Sequence, residues 1–129
     1  MVPQEVAIYE ELSARENLRF FARVRGMGAA EERCRSCLEL VGLDPDRTTV
    51  VRGFSTGMTQ RLGLAQAVMH RPDILILDEP TSGLDFAASF DYLARVRALA
   101  RAGCNIIIVT HHLDEIPPEV GRVVVLDRG

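Results

Sequence analysis

The sequence predicts an α/β fold, with parallel strands flanked by helices, on two short apolar runs and the helical patterns around them. The first run, Ile74 to Leu77, starts after the helix breaker in Arg71-Pro72-Asp73 and stops at two carboxylates, Asp78 and Glu79. The second, Asn105 to Val109, stops at Thr110-His111. Runs this short, apolar and β-branched read as strands buried on both faces, as in a parallel sheet. Open α/β sheets carry their chemistry just beyond the carboxyl ends of such strands. Asp78 and Glu79 therefore fall where a site would be built.

In chain order, Ser13-Ala14-Arg15-Glu16 is a capping box that starts a helix. Leu18, Phe21 and Val24 follow at helical spacing, and Gly26 fits its end. A second helix is expected from about Ala29 to Val41, with Cys34, Cys37, Leu38 and Val41 on its apolar face and Gly42 as its stop. Asp44-Pro45-Asp46 is a turn. A third helix is expected from near Thr56 to about Met69, with Leu62, Ala65, Val68 and Met69 inward. After the first strand, Asp85 suits the N-cap of a helix from roughly Phe86 to Ala102. Its apolar stripe would hold Phe90, Leu93, Val96, Leu99 and Ala100, with Arg95, Arg97 and Arg101 mostly outward. Beyond the second strand, Leu113 to Val120 reads as a short helix or turn interrupted by Pro117-Pro118. Arg122 to Leu126 reads as a third strand, and Asp127-Arg128-Gly129 as a turn.

Composition narrows the function classes. The chain has 129 residues, 47% of them hydrophobic, and a formal net charge of -3, which suits one domain and gives no reason to expect non-specific nucleic-acid binding. No apolar run approaches the roughly 18 residues of a membrane span. Glu5, Glu10 and Glu11 come early and no basic start precedes an apolar stretch, so a soluble cytoplasmic chain without a signal peptide is the expectation. Three cysteines argue against a disulfide framework. Cys34-Arg35-Ser36-Cys37 matches C-x-x-C, but it lies in a helical pattern and lacks a second pair to complete a zinc site. Cys104 reads as an ordinary buried residue. His70, His111 and His112 make a weak metal set on spacing alone.

The stretch Ile74 to Asp85, I-L-I-L-D-E-P-T-S-G-L-D, resembles the Walker B and D-loop segment of the ATP-binding cassette (ABC) ATPases. Phe54-Ser55-Thr56-Gly57-Met58-Thr59-Gln60-Arg61 resembles their signature motif, Thr110-His111 their switch histidine and Pro3-Gln4-Glu5 their Q-loop. The resemblance implies part of a P-loop ATPase core, at about 73–129, and an α-helical signature subdomain at about 10–72. It also implies roles. Asp78 would hold Mg²⁺, usually through water, and Glu79 would act on the attacking water as general base. His111 would contact the γ-phosphate, with His112 as the alternative switch residue. Gln4 would complete the metal and water shell. Phe54, Ser55, Thr56, Gly57 and Met58 would cover the nucleotide phosphate held by a second subunit, and Asp85 would act across the dimer. Against the family's L-S-G-G-Q, Ser55 and Gly57 match while Phe54, Thr56 and Met58 depart.

The resemblance implies the later part of an ABC transporter ATPase subunit, binding and hydrolysing Mg-ATP in a head-to-tail dimer at the inner face of the membrane, on a transmembrane permease. Two alternatives are a degenerate half-cassette that serves as an interaction module and a soluble ABC protein of translation or repair. All 15 basic residues are arginine. A Walker A loop needs a lysine that reaches the β/γ-phosphates, so these 129 residues contain none, and they are expected to be inactive alone. A buried strand without the neighbour that feeds Walker A would expose apolar surface, which suggests a piece of a longer cassette or a chain that needs a partner.

Overall fold

The computed structural model describes residues 7–28, 30–116, 118 and 120–126. Gln4, the first residue expected for the second helix (Ala29), Pro117 and the turn at 127–129 lie outside these. The element order is α1 (Ala14–Val24), α2 (Ala30–Leu40), α3 (Thr56–Val68), β1 (Ile74–Asp78), α4 (Phe86–Arg101) and β2 (Asn105–Val109), with 3-10 turns at Val51–Gly53 and Leu113–Glu115. β1 and β2 pair in parallel, joined through α4, with Ile74 opposite Asn105 and Asp78 opposite Val109.

The helices begin where the sequence supplies acceptors for unpaired N–H groups. Ser13 caps α1 with the complete reciprocal box: Oγ accepts from the Glu16 amide at 3.2 Å, and the Glu16 carboxylate accepts from the Ser13 amide at 2.7 Å. Ser55 caps α3 and Asp85 caps α4, each accepting from the amide three residues on. Just beyond α2, Gly42 sits at φ +75°, where an added Cβ would lie 2.6 Å from the Arg95 guanidinium. The positive φ favours glycine there, whereas the flexible Arg95 side chain could move aside for a Cβ.

One core joins the elements: Leu18 of α1, Cys34 and Leu38 of α2, Leu62 and Leu64 of α3, Leu75 and Leu77 of β1, and Tyr92, Val96 and Leu99 of α4. Cys34 and Cys37 are buried within it, and burial pushes the Cys34 thiol up to about 11 and raises Cys37 as well. The C-x-x-C pair is therefore core rather than redox chemistry. Arg33 of α2 donates to the carbonyls of Val68 and Met69, at 2.7 and 2.9 Å, satisfying and charge-matching the end of α3.

Several expectations need correction. β1 is covered on one face only: Leu75 and Leu77 are buried, while Ile74 is 56% exposed and Asp78 is open. β2 likewise leaves Ile107 and Val109 half-exposed. Residues 122–126 form no strand, and Val123 to Leu126 are exposed. Phe90 is 61% exposed and Ala100 is exposed, so α4's inner stripe runs instead through Ser89, Tyr92, Leu93, Val96 and Leu99. Arg97 is half-buried rather than outward, and Cys104 is half-buried. Among the described residues no helix is long and apolar enough to cross a membrane.

Asn17, buried at 1% exposure, organises the entry to α1. Its Oδ1 accepts from the Tyr9 amide at 2.8 Å, and its Nδ2 donates to the carbonyls of Ser13 at 2.9 Å and Tyr9 at 3.1 Å. Asn17→Ala is expected to destabilise the chain by about 1–3 kcal/mol, the cost of stranding such groups. Urea unfolding compared with the parent chain measures it, and an unchanged midpoint would contradict the bracing role.

Candidate functional site

The site grows from the β1–β2 register. Because Asp78 lies opposite Val109, the next residue, Glu79, meets the turn after β2. The Glu79 amide donates to the Val109 carbonyl at 2.7 Å, extending the ladder by one bond. The backbone then turns sharply. Glu79 adopts φ +45°, a conformation costly for a residue with a side chain. That turn directs the carboxylate toward Thr110 and His111.

Three donors converge on it. The His111 amide donates to Oε1 at 3.0 Å, the His111 Nδ1 lies 2.6 Å from the same oxygen, and the Thr110 hydroxyl donates to Oε2 at 3.4 Å. Against an ionised carboxylate the ring nitrogen must carry the proton. The His111 side-chain bond is the main cause that holds the Glu79 carboxyl below the usual carboxylate range, and its amide adds to this. Glu79 is thus ionised at neutral pH and anchored across the strand ends. His111 itself is 74% exposed.

Asp78 ends β1 on the face opposite Leu75 and Leu77, open to solvent, as strand alternation requires. It does not join the Glu79–His111 pair. Instead the structure gathers Glu79, His111 and His112, whose ligand atoms all lie within 4.8 Å of one another, and leaves His70 out of the group. Sequence spacing treated the three histidines as one weak set. The signal that separates them is register: only His111 and His112 follow the strand paired with β1.

The second part of the site is the start of α3. Ser55 is exposed, its Oγ accepts from the Met58 amide at 3.2 Å, and its carbonyl accepts the Thr59 amide and hydroxyl. Phe54, Gly57 and Met58 are half-buried and Thr56 is exposed. A Cβ added at Gly57 would meet Ala88 and Leu84 at 3.4 and 3.9 Å, ordinary contact distances. Nothing inside the chain therefore forbids a side chain there. The turn after Glu79 packs against this helix start: Ser82 donates to the Glu79 carbonyl, Leu84 to that of Thr81, and Gly83, at φ +79°, lies beside Thr56. Asp85 uses Oδ1 to cap α4, accepting from the Ala88 amide at 2.8 Å.

The site is thus a parallel strand pair whose carboxyl ends hold a carboxylate and a histidine, with a serine-capped helix start packed on the turn after the first strand. The chain belongs to the ABC transporter family, whose sequence profile matches residues 1–82. It is 37% identical over 131 residues to the linearmycin resistance ATP-binding protein LnrL of Bacillus subtilis, covering 100% of this chain and 42% of that protein. It is 37% identical to the Nod factor export ATP-binding protein I of Cupriavidus metallidurans, covering 100% and 43%. Among solved structures, the ATP-binding cassette MJ0796, a post-hydrolysis dimer bound to ADP and Pi, matches with a TM-score of 0.72 at 25% identity, over 88% of this chain and 52% of that one. The chain thus spans about two fifths of the length of these curated relatives.

Removing the His111 ring is expected to raise the Glu79 pKa toward the ordinary 4.5, incompletely because the backbone donor remains. A ¹³C-NMR titration of the Glu79 carboxyl in His111→Ala reads this directly. A downward shift, or none, would contradict the pairing.

Proposed function

We propose that this chain supplies the signature, Walker B, D-loop and switch portions of an ABC transporter ATPase subunit. The subunit binds and hydrolyses Mg-ATP in a head-to-tail dimer and powers export or import through a transmembrane permease at the cytoplasmic face. The observation that carries the reading is the bond between Glu79 and His111, which unites the strand-end carboxylate and the switch histidine expected of such a site.

The donor set fits the implied groups. Asp78 is an exposed carboxylate at a strand end, the hard oxygen donor Mg²⁺ prefers. Bound Mg²⁺ would neutralise charge on the nucleotide phosphates. Gln4 would complete that shell. Glu79, with its lowered pKa, is a weak proton acceptor, so its part is to orient and polarise the attacking water rather than to hold a full proton at the start. His111 would turn its exposed ring to the γ-phosphate. At α3, Ser55 and the amides of the first turn offer donors to an anion at the positive end of the helix. Gly57 fits the same reading: with room for a Cβ inside the chain, the constraint on it would come from outside, where a phosphate approaches. Phe54, Thr56 and Met58 shape that surface, and Asp85 would reach the partner subunit from the start of α4.

The 129-residue chain by itself is expected to release no phosphate from Mg-ATP above background, because it contains no lysine for a Walker A loop. In a cassette that joins it to a Walker A segment, Glu79→Gln should nearly abolish turnover while ATP still binds, and Asp78→Asn should weaken Mg²⁺-dependent binding as well. Phosphate release and nucleotide titration separate the two, and identical effects of both variants on both properties would refute these roles.

The trans action of the signature has its own test, a mixed dimer of one Ser55→Arg subunit with one Glu79→Gln subunit. With the signature acting on the partner's nucleotide, both defects fall on one site. The other keeps Glu79 and Ser55, and up to roughly half of parent turnover survives if the sites fire independently. A purified mixed dimer that binds ATP normally but has no residual turnover would rule out the trans arrangement.

A further inference from the structure

We propose that Glu79, His111 and His112 form a chelating site for a borderline transition cation such as Zn²⁺, distinct from the Mg²⁺ role assigned to Asp78. The three ligand atoms lie within 4.8 Å of one another, and the His111 Nδ1 and Glu79 Oε1 are already 2.6 Å apart. A cation bound at about 2.0–2.2 Å spaces tetrahedral ligands about 3.3–3.6 Å apart. Small side-chain adjustments close that difference, and the exposed His111 ring has the freedom to make them.

The backbone organises the three groups before any cation arrives. The strand ladder runs on to the Glu79 amide, and the φ of +45° turns the carboxylate toward the end of β2. Beyond it, the Thr110 hydroxyl accepts the His112 amide at 3.0 Å and donates to Glu79 Oε2. This folds the chain so that the adjacent imidazoles lie side by side, their centroids 4.0 Å apart and their planes tilted by 38°. Consecutive residues in an extended strand would point to opposite faces. Two imidazoles and one carboxylate with open positions for water suit Zn²⁺, Co²⁺ or Cu²⁺, whereas Mg²⁺ favours all-oxygen shells. Binding displaces the proton shared by His111 and Glu79 and occupies the carboxylate that would orient water. Inhibition of hydrolysis by micromolar Zn²⁺ is the consequence in a complete cassette, and that consequence alone rests on the proposed function. The binding does not, because it needs no nucleotide.

The test uses the 129-residue chain without nucleotide. Zn²⁺ is titrated against a chromogenic chelator, with far-ultraviolet circular dichroism recorded for every variant. One equivalent is expected to bind. Glu79→Gln, His111→Ala and His112→Ala should each weaken it at least about tenfold, the loss typical even for groups that only support a ligand. His70→Ala and a Cys34→Ser/Cys37→Ser/Cys104→Ser variant should keep it. Co²⁺ in place of Zn²⁺ should give visible bands without a thiolate charge-transfer band. If His112→Ala loses secondary structure, His112→Gln takes its place. Unchanged affinity in the folded His112 variant, loss of binding in the cysteine variant, or equal competition by Mg²⁺ would each overturn the proposal.

Discussion

The in-register parallel pairing of β1 with β2 is the constraint on which the rest of the site depends. Glu79 and His111 lie 32 residues apart in sequence. What makes them neighbours is that Asp78 faces Val109, so that each chain leaves the sheet at the same level. A slip of one residue would move Glu79 away from its three donors and turn Leu75 and Leu77 out of the core. The hydrophobic pattern of β1 and the geometry of the site thus enforce the same register. The left-handed backbone at Glu79 is tolerated because the bonds on both sides of it, to Val109 before and from Ser82 after, hold the turn in place.

The start of α3 is held by a different set of forces. The segment before α1 pairs with the segment before α3: Leu12 accepts from the Val51 amide and Glu10 from the Arg52 amide, both at 2.9 Å, and Ser13 forms an antiparallel bridge with Val50. Asn17 fixes one side of that pairing. From the other end, Arg33 closes the last turn of α3. Arg61, in its middle, donates to the Gly42 carbonyl at 3.1 Å and lies 3.6 Å from Asp91 of α4. The start of α3 is therefore positioned by buried and semi-buried backbone contacts rather than by the exposed ion pairs around Glu31, which add little in water.

What was legible in the sequence, and what was not, follows from the range of the forces involved. Caps are local, so Ser13 and Asp85 could be placed from a few residues of context, and both act as N-caps; Ser55, read as a donor to phosphate, also caps α3. The two strands were legible because a short apolar run between breakers has few other uses. Their burial was not, since it depends on what covers the second face. The reading that made β1 buried on both sides overlooked that only one layer of helix is available among the described residues. At 122–126, Val123-Val124-Val125 has the propensity of a strand, but propensity is a weak guide without pairing, and the segment forms none. Phe90 was misplaced because α4 has a weak apolar contrast between faces, and Tyr92, rather than Phe90, takes the inner position. The bonds made by Asn17, Arg33 and Arg61 join distant carbonyls and leave no pattern in the sequence. Neither does the convergence of His112 on Glu79, which needs both the register and the Thr110 turn. The roles of Gln4, Asp78 and Asp85 rest on resemblance alone.

The short stretch between Glu79 and Asp85 links the two halves of the site physically. Its first turn hangs on the Glu79 carbonyl, its middle lies on Thr56 and Gly57 through Gly83 and Leu84, and its last residue caps α4. The turn that begins at Glu79 also buttresses the start of α3. Bonds from Ser82 to the Glu79 carbonyl and from Leu84 to that of Thr81 brace this short segment. If the start of α3 covers a partner's phosphate, as proposed, the state of Glu79 in one subunit is coupled through these seven residues to the nucleotide of the other. The coupling needs no pathway beyond the backbone itself, and its strength is set by how firmly the Ser82–Glu79 and Asp85–Ala88 bonds hold the two ends.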